Sequence, residues 1–251
     1  MKKLIRSIIR GLGLYNFSIT LENKIVTALQ KPKQKELYSQ FVKEGSLCFD
    51  VGANVGNRTA IFLELGAKVV MVEPQKECYT ALEKRFPNLP LIKKGLGEKE
   101  STEKLYVSGV SLISSFSKSH VDQMQEDRFK GANWDKTIDI EMTTLDNLIA
   151  AHGVPDFCKI DVEGYEYDVL KGLSQPLKSL SIEYIVPENK EVVLNCIQHL
   201  SSLGNIECNL STGETMDFHL EKWKNGQEMI DYVKSQSFID TSWGDIYIKF
   251  V

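Results

Sequence analysis

The sequence predicts an α/β domain with a mostly parallel, Rossmann-like sheet and helices on both faces. Two stretches predict it. Leu47-Cys48-Phe49-Asp50-Val51-Gly52-Ala53-Asn54-Val55-Gly56-Asn57 passes from an apolar run to an acid, then a glycine turn, and an amphipathic segment from Arg58 to Leu65 follows. That order is strand, loop, helix. Lys68-Val69-Val70-Met71-Val72-Glu73 is a second apolar run ending in an acid, as expected of a parallel strand buried on both faces.

The glycine loop is the candidate ligand site. Gly52 and Gly56 permit positive φ and close approach of a ligand to the backbone, and free amides at the helix start face the same spot. Glu73 follows by roughly twenty residues, where a nucleoside-binding βαβ unit places its ribose-binding carboxylate. Asn54 replaces the middle glycine of a dinucleotide loop, and Asp50 stands at the strand end. A carboxylate there repels a diphosphate and attracts an ammonium. S-adenosylmethionine has an ammonium, a carboxylate, a ribose diol and no phosphate, so it suits these residues better than a dinucleotide. The competing reading is that Asp50 and Asn57 merely cap a helix.

Composition sets bounds. The chain of 251 residues has room for one large α/β domain or two small ones. Its formal net charge of -4 gives no basic footprint, so a nucleic-acid partner is not expected. Cys48, Cys78, Cys158, Cys196 and Cys208 are odd in number and form no C-x-x-C pair. This pattern argues for a reducing, cytoplasmic setting and against a disulfide framework or structural zinc. No apolar stretch approaches the ~20 residues that span a bilayer.

Residues 1–45 read as an N-terminal helical segment and 46–251 as the main domain. Leu4, Ile5, Ile8, Ile9 and Leu12 fall at helical spacing among Lys2, Lys3, Arg6 and Arg10. Such a helix either lies on a membrane surface as a peripheral contact or packs on the domain or on a second subunit. No signal-peptide core or cleavage site is visible. Leu37, Tyr38 and Phe41 continue a helical rhythm and are expected to cover one sheet face.

After Glu73, a helix is expected from Pro74 to Phe86 and a third strand from Leu89 to Lys93. Gly95-Leu96-Gly97 then reads as the turn where an adenine would meet Leu96. Between Lys104 and Thr144, Leu105, Val107, Ile138, Ile140 and Met142 alternate with polar residues, which predicts two half-buried strands in an antiparallel extension of the sheet. The polar segment from Ser111 to His120 is either a lid or a solvated connection. A helix capped by Thr143 or Thr144 follows.

The second informative stretch is Phe157-Cys158-Lys159-Ile160-Asp161-Val162-Glu163-Gly164, leading through Tyr165 into a helix closed by Gly172. In an open α/β sheet, ligands bind beyond the carboxyl ends of the strands, where strand order reverses. Asp161 and Glu163 are therefore expected beside Asp50. A strand over Leu180 to Tyr184, a helix over Lys190 to Leu203, and closing strands over Ile206 to Leu210 and Asp245 to Val251 complete the pattern. Phe218, His219, Trp223 and Trp243 form either an aromatic wall or an ordinary hydrophobic cluster.

With both stretches in view, the sequence resembles the FkbM family of S-adenosylmethionine-dependent methyltransferases. The matching pieces are Phe49-Asp50-Val51-Gly52-Ala53-Asn54-Val55-Gly56, Val72-Glu73-Pro74, Thr144-Leu145-Asp146, Lys159 to Glu166, and Trp243-Gly244-Asp245-Ile246-Tyr247. The resemblance implies a class I methyltransferase fold, with seven strands in the order 3-2-1-4-5-7-6 and the last antiparallel. It also implies O-methylation of a hydroxyl on a glycan precursor, nucleotide sugar or polyketide-like product. Carried over by position, Asp50, Gly52, Asn54 and Gly56 line the methionine end of the cofactor and Glu73 takes the ribose hydroxyls.

A sugar hydroxyl is a poor nucleophile and benefits from a general base. Asp161 and Glu163 are the candidates, with capping of the helix near Gly164 as their alternative role. His120 and His219 are alternative bases, while His152 and His199 read as surface or helix-end residues. A divalent cation among Asp161, Glu163 and Glu183 is a further alternative, but nothing in their spacing requires one, and metal-free transfer is the expectation. An NAD-dependent oxidoreductase lacks its full glycine fingerprint here. A non-catalytic scaffold that kept the fold is opposed by the intact acids, and methylation of a base by the lack of an Asn/Asp-Pro-Pro-Tyr motif.

Overall fold

The computed structural model describes residues 30–107 and 136–251. The N-terminal amphipathic stretch and the Ser111–His120 segment lie outside the described residues. After a helix over 30–38 (α1), the chain forms β1 (Leu47–Val51), α2 (Asn57–Glu64), β2 (Lys68–Val72), α3 (Lys76–Arg85) and β3 (Leu91–Ile92). Next come β4 (Gly95–Leu96), β5 (Ser101–Val107), β6 (Lys136–Thr143), α4 (Leu145–His152), β7 (Phe157–Ile160) and α5 (Glu166–Lys171). The last part forms β8 (Ser179–Ile185), α6 (Lys190–Leu203), β9 (Ile206–Thr212), β10 (Lys224–Asn225), α7 (Gly226–Val233), α8 (Gln236–Ile239) and β11 (Trp243–Phe250).

The main sheet runs β10-β9-β11-β8-β7-β1-β2-β3. β1, β2, β3, β7 and β8 pair in parallel, and β11 is antiparallel to both β8 and β9. Leaving out the edge strand β10, this is the order 3-2-1-4-5-7-6. The sheet has eight strands instead of seven because Lys224–Asn225 adds a short antiparallel edge to β9.

Each face carries its own core. On one, Phe49, Val70, Cys158, Leu180 and Ile246 pack beneath the later helices through Leu148, Val169, Ile197 and Met229. On the other, Cys48, Val69, Met71 and Phe157 pack against Leu37 and Tyr38 of α1, Ile61 and Phe62 of α2, and Leu82 of α3. α1 thus shares a core with the main domain. Phe218 and Trp223 join this second core beside Phe41 and Tyr247, so they belong to a hydrophobic cluster and not to a ligand wall.

Three local expectations change. The third strand shrinks to Leu91–Ile92 because Pro90 has no N–H to donate, although its carbonyl accepts from Met71 at 3.0 Å. Gly95–Leu96 is a short strand rather than a turn, paired in parallel with β6. β5 and β6 pair antiparallel as expected, but they form a separate three-stranded sheet with β4 instead of extending the main one. Their apolar side, Leu105, Ile140 and Met142, has its own small core with Ile138 and Tyr165. The Thr144 side chain caps α4 by accepting from the Asn147 amide at 3.0 Å. No described helix is long and apolar enough to cross a membrane.

Candidate active site

β1 and its neighbours end at the point where the chain switches from building toward β3 to building toward β8. A cavity of about 550 Å³ opens there, within the range of small-molecule sites. Its wall includes Asp50, Gly52, Asn54, Glu73 and Leu96, and also Asp161, Glu163 and Glu183. Glu73 follows β2 and Glu183 lies on β8, three strand spacings apart in the sheet order, or about 14 Å.

The glycine loop is tied down by its own amides. Gly52 and Ala53 both donate to the Val72 carbonyl at 3.0 Å. Gly52 has φ +78°, and a Cβ there would run into the Asp161 carbonyl oxygen, so only glycine lets the ends of β1 and β7 meet. Gly56 plays a different part. It does not reach the cavity wall, and a Cβ on it would strike Phe86 and Leu82. Neither helix leaving these loops has a side-chain cap: Gly56 itself is the N-cap of α2 and Tyr165 that of α5. The capping roles weighed for Asp50, Asn57, Asp161 and Glu163 are thus not the ones they take.

Asp50 is buried, and its Oδ2 accepts from the Thr59 hydroxyl at 2.5 Å. Burial raises its pKa, opposed by the Lys159 charge. Glu73 is 3% exposed. Its Oε2 accepts from the Asn54 amide at 2.9 Å and its Oε1 from the Gln75 amide at 2.8 Å. Burial pushes its carboxyl up to about 7 despite those bonds. A carboxylate has about four lone-pair sites, so each Glu73 oxygen keeps capacity for one further donor.

Asp161, Glu163 and Glu183 bring carboxylate oxygens within 4.8 Å of one another, the one such trio of acids among the described residues. Two full negative charges at that distance repel by about 3.5 kcal/mol at an effective dielectric of 20, so three cannot all persist without compensation. Lys159 supplies it. Fully buried on β7, its ammonium donates to Asp161 Oδ2 at 2.5 Å. Burial alone would raise Asp161, yet Lys159 holds it below the usual carboxylate range. Burial, and then Asp161 itself, hold Glu163 and Glu183 well above that range.

Glu163 sits at φ +53°, which costs a non-glycine residue about 1–2 kcal/mol. Glu166 secures that loop, its Oε1 accepting from Val162 at 3.1 Å and Gly164 at 3.2 Å. Of the expected alternative bases, His219 is exposed and outside the cavity wall, and His120 lies outside the described residues. His199 contacts the Leu173 carbonyl at 3.2 Å, and His152 ends α4. Sequence reading did not single out Arg58, Glu214, Gln30, Gln34 or Lys159 as wall residues. Arg58 pairs with both Glu214 oxygens at 3.2 and 3.1 Å across 156 positions, a distance that no local pattern spans.

The Methyltransferase FkbM domain model matches residues 50–239. The chain belongs to the FkbM methyltransferase family. Methyl transfer is therefore its activity class, with S-adenosylmethionine as the family's donor. No curated protein sequence matches it. Among solved structures it is similar to an rRNA methylase from Streptococcus thermophilus, at 13% identity and TM-score 0.43, covering 86% of this chain and 93% of that one. It is also similar to precorrin-6y C5,15-methyltransferase from Geobacter metallireducens, at 9% identity and TM-score 0.42, covering 90% and 87%. A third is a Streptococcus mutans methyltransferase in complex with SAH, at 14% identity and TM-score 0.41, covering 86% and 95%.

The cavity's chemistry is compatible with that donor: Glu73 keeps spare acceptor capacity of the kind a ribose diol needs, and Leu96 is a buried apolar wall residue of the kind an adenine needs. Asp50 and Glu73 together disfavour a diphosphate in the same cavity.

Proposed function

We propose that this FkbM methyltransferase transfers its methyl group to a hydroxyl on a sugar, a glycan or a related natural product. The observation that carries the reading is the acid cluster, separated from Glu73 by about 14 Å of sheet in one continuous cavity. A hydroxyl loses a proton when it is methylated, and a site for it needs a proton acceptor beside the acceptor oxygen. The cluster meets that need through Asp161, the member that Lys159 keeps ionised.

S-adenosylmethionine, when bound, supplies a methyl group already activated by its positive sulfur. The chain's part is alignment and exclusion of water. Glu73 fixes the ribose, the Gly52–Asn54 backbone supports the methionine portion, and Asp50 faces its ammonium. Glu163 and Glu183 hold or release a proton at their carboxylate oxygens. Trp243, 39% exposed at the cavity wall, offers an aromatic platform for a sugar face. The setting we assign is cytoplasmic, consistent with five cysteines that are all free and buried, and no nucleic-acid partner is invoked.

The test is incubation with methyl-labelled S-adenosylmethionine and a panel of glycosides, amines and RNA. A product methylated at a glycoside oxygen supports the reading, whereas label confined to amines or RNA overturns it.

A further inference from the structure

Helix α1 presents two neutral amides to the cavity. Gln30 and Gln34 are four residues apart, on the same side of the helix, and both line the wall. One turn further on, Tyr38 is buried against Phe62, Phe157 and Tyr247, so this side of α1 runs from the cavity into the core. Gln34 is the more enclosed of the two amides, 5% exposed. Its carboxamide has no hydrogen-bond partner among the described residues. An unbonded amide at a buried position is costly, and an apolar side chain of the same size would serve packing better. The amide therefore asks for a partner that enters through the cavity.

The neighbours of Gln34 place it at the acceptor end. Lys33, the preceding residue, pairs with Asp217 at 2.7 Å, and Arg58 pairs with Glu214 at 3.1 Å, which ties α1 and α2 to the loop after β9. A Cβ on Gly213, at the start of that loop, would meet the Trp243 ring at 3.5 Å. This side of the wall thus lies toward β8, β11 and β9, across β1 from Glu73.

The charges of the wall narrow what the amide can read. Its cations are already committed, Lys159 to Asp161, Arg58 to Glu214 and Lys94 to Glu141, which leaves no wall cation uncommitted for an anionic acceptor. A carboxamide donates through its N–H and accepts through its carbonyl, and a hydroxyl does both as well; an anion would use only the N–H and an ammonium only the carbonyl. We propose that Gln34 is a specificity-determining residue that hydrogen-bonds a hydroxyl of a neutral, polyhydroxylated acceptor, a hydroxyl other than the one methylated, and that α1 is thereby part of the acceptor site. The assignment rests on the glycoside reading above.

The test compares the full-length wild type with Gln34→Met, using methyl-labelled S-adenosylmethionine with a panel of methyl glycosides and their monodeoxy analogues. Met keeps the length and helix propensity of Gln and removes only the amide. A neutral hydrogen bond is worth about 2- to 12-fold, so losing the donor and the acceptor together should lower kcat/KM for the glycoside roughly 5- to 100-fold. KM for S-adenosylmethionine and affinity for S-adenosylhomocysteine should stay within about twofold, because the loss is confined to acceptor binding. The wild type should discriminate against at least one monodeoxy analogue that keeps the methylated hydroxyl, and Gln34→Met should lose that discrimination, which a merely structural role would not produce. Should Gln34→Met fail to fold, Gln34→Ala decides on the same readings. A variant that uses the glycoside as the wild type does, keeps its discrimination against every analogue, or loses S-adenosylhomocysteine to the same extent as the glycoside overturns this proposal alone. A wild type that binds S-adenosylhomocysteine but methylates no glycoside overturns the glycoside reading, and this proposal with it.

Discussion

Replacing Glu73 with Gln probes the cofactor half of the site with little change in shape. The wild-type carboxylate accepts one backbone amide on each oxygen, at 2.9 and 2.8 Å, and has one acceptor position per oxygen left for the ribose diol. The Gln side chain keeps one acceptor oxygen and turns the other position into a donor. One charge-assisted hydrogen bond to the ribose is lost, worth about 1.5–3 kcal/mol. At about 1.4 kcal/mol per decade, affinity for S-adenosylhomocysteine should fall roughly 10- to 150-fold. A pH signature accompanies it. With the carboxyl near 7 in the free protein, the ionised fraction drops about tenfold between pH 8 and pH 6. Wild-type affinity should weaken by about that factor over the same range, and Glu73→Gln should be flat. Isothermal calorimetry at several pH values reads both effects. If the variant binds as the wild type does and the wild type shows no pH dependence, the ribose assignment is wrong.

Stability without ligand should fall with rising pH. Glu73 and Glu166 are each pushed from 4.5 to about 7, first of all by burial, so the folded chain retains protons that the unfolded chain has released. That stabilisation is complete below 4.5 and lost as pH rises through about 7, at most about 3.4 kcal/mol for each group; urea unfolding at pH 5 and pH 8, with Glu166→Gln as a flatter control, measures it. Gly52→Ala, which combines φ +78° with a collision at the Asp161 carbonyl, should lose more than about 2 kcal/mol of stability or most of its cofactor affinity, read by denaturant melts and calorimetry. Tyr247→Phe removes a buried hydroxyl that has no hydrogen-bond partner of normal geometry among the described residues, and should leave stability unchanged or raise it by up to about 1 kcal/mol.

Much of the glycine-loop side of the cavity was legible because its residues sit where chain pattern and chemistry coincide. Asp50 and Glu73 each end an apolar run, and Gly52 lies at a turn. The acids on the other side were legible as a group: Asp161 and Glu163 follow a strand in the same way, and Glu183, although mid-strand opposite Leu180, Ile182 and Tyr184, was already grouped with them and lies beside them. Lys159 was hidden: a single charge within Phe157–Ile160 reads as noise in an apolar run until its neighbours across the sheet are known. Gly56 shows the reverse error, since a glycine in a ligand-type loop can serve packing against Phe86 and Leu82. The strand at Gly95–Leu96 depends on pairing with β6, more than forty positions away along the chain, and nothing in its two residues announces it.

The most direct measurement is calorimetric titration of the purified wild-type protein with S-adenosylhomocysteine and, separately, with NAD. Saturable binding of the first and none of the second is the predicted result, since Asp50 and Glu73 line the cavity where a diphosphate would have to lie. Binding of NAD alone, or of neither ligand, would contradict the account of this cavity as a methyl-donor site.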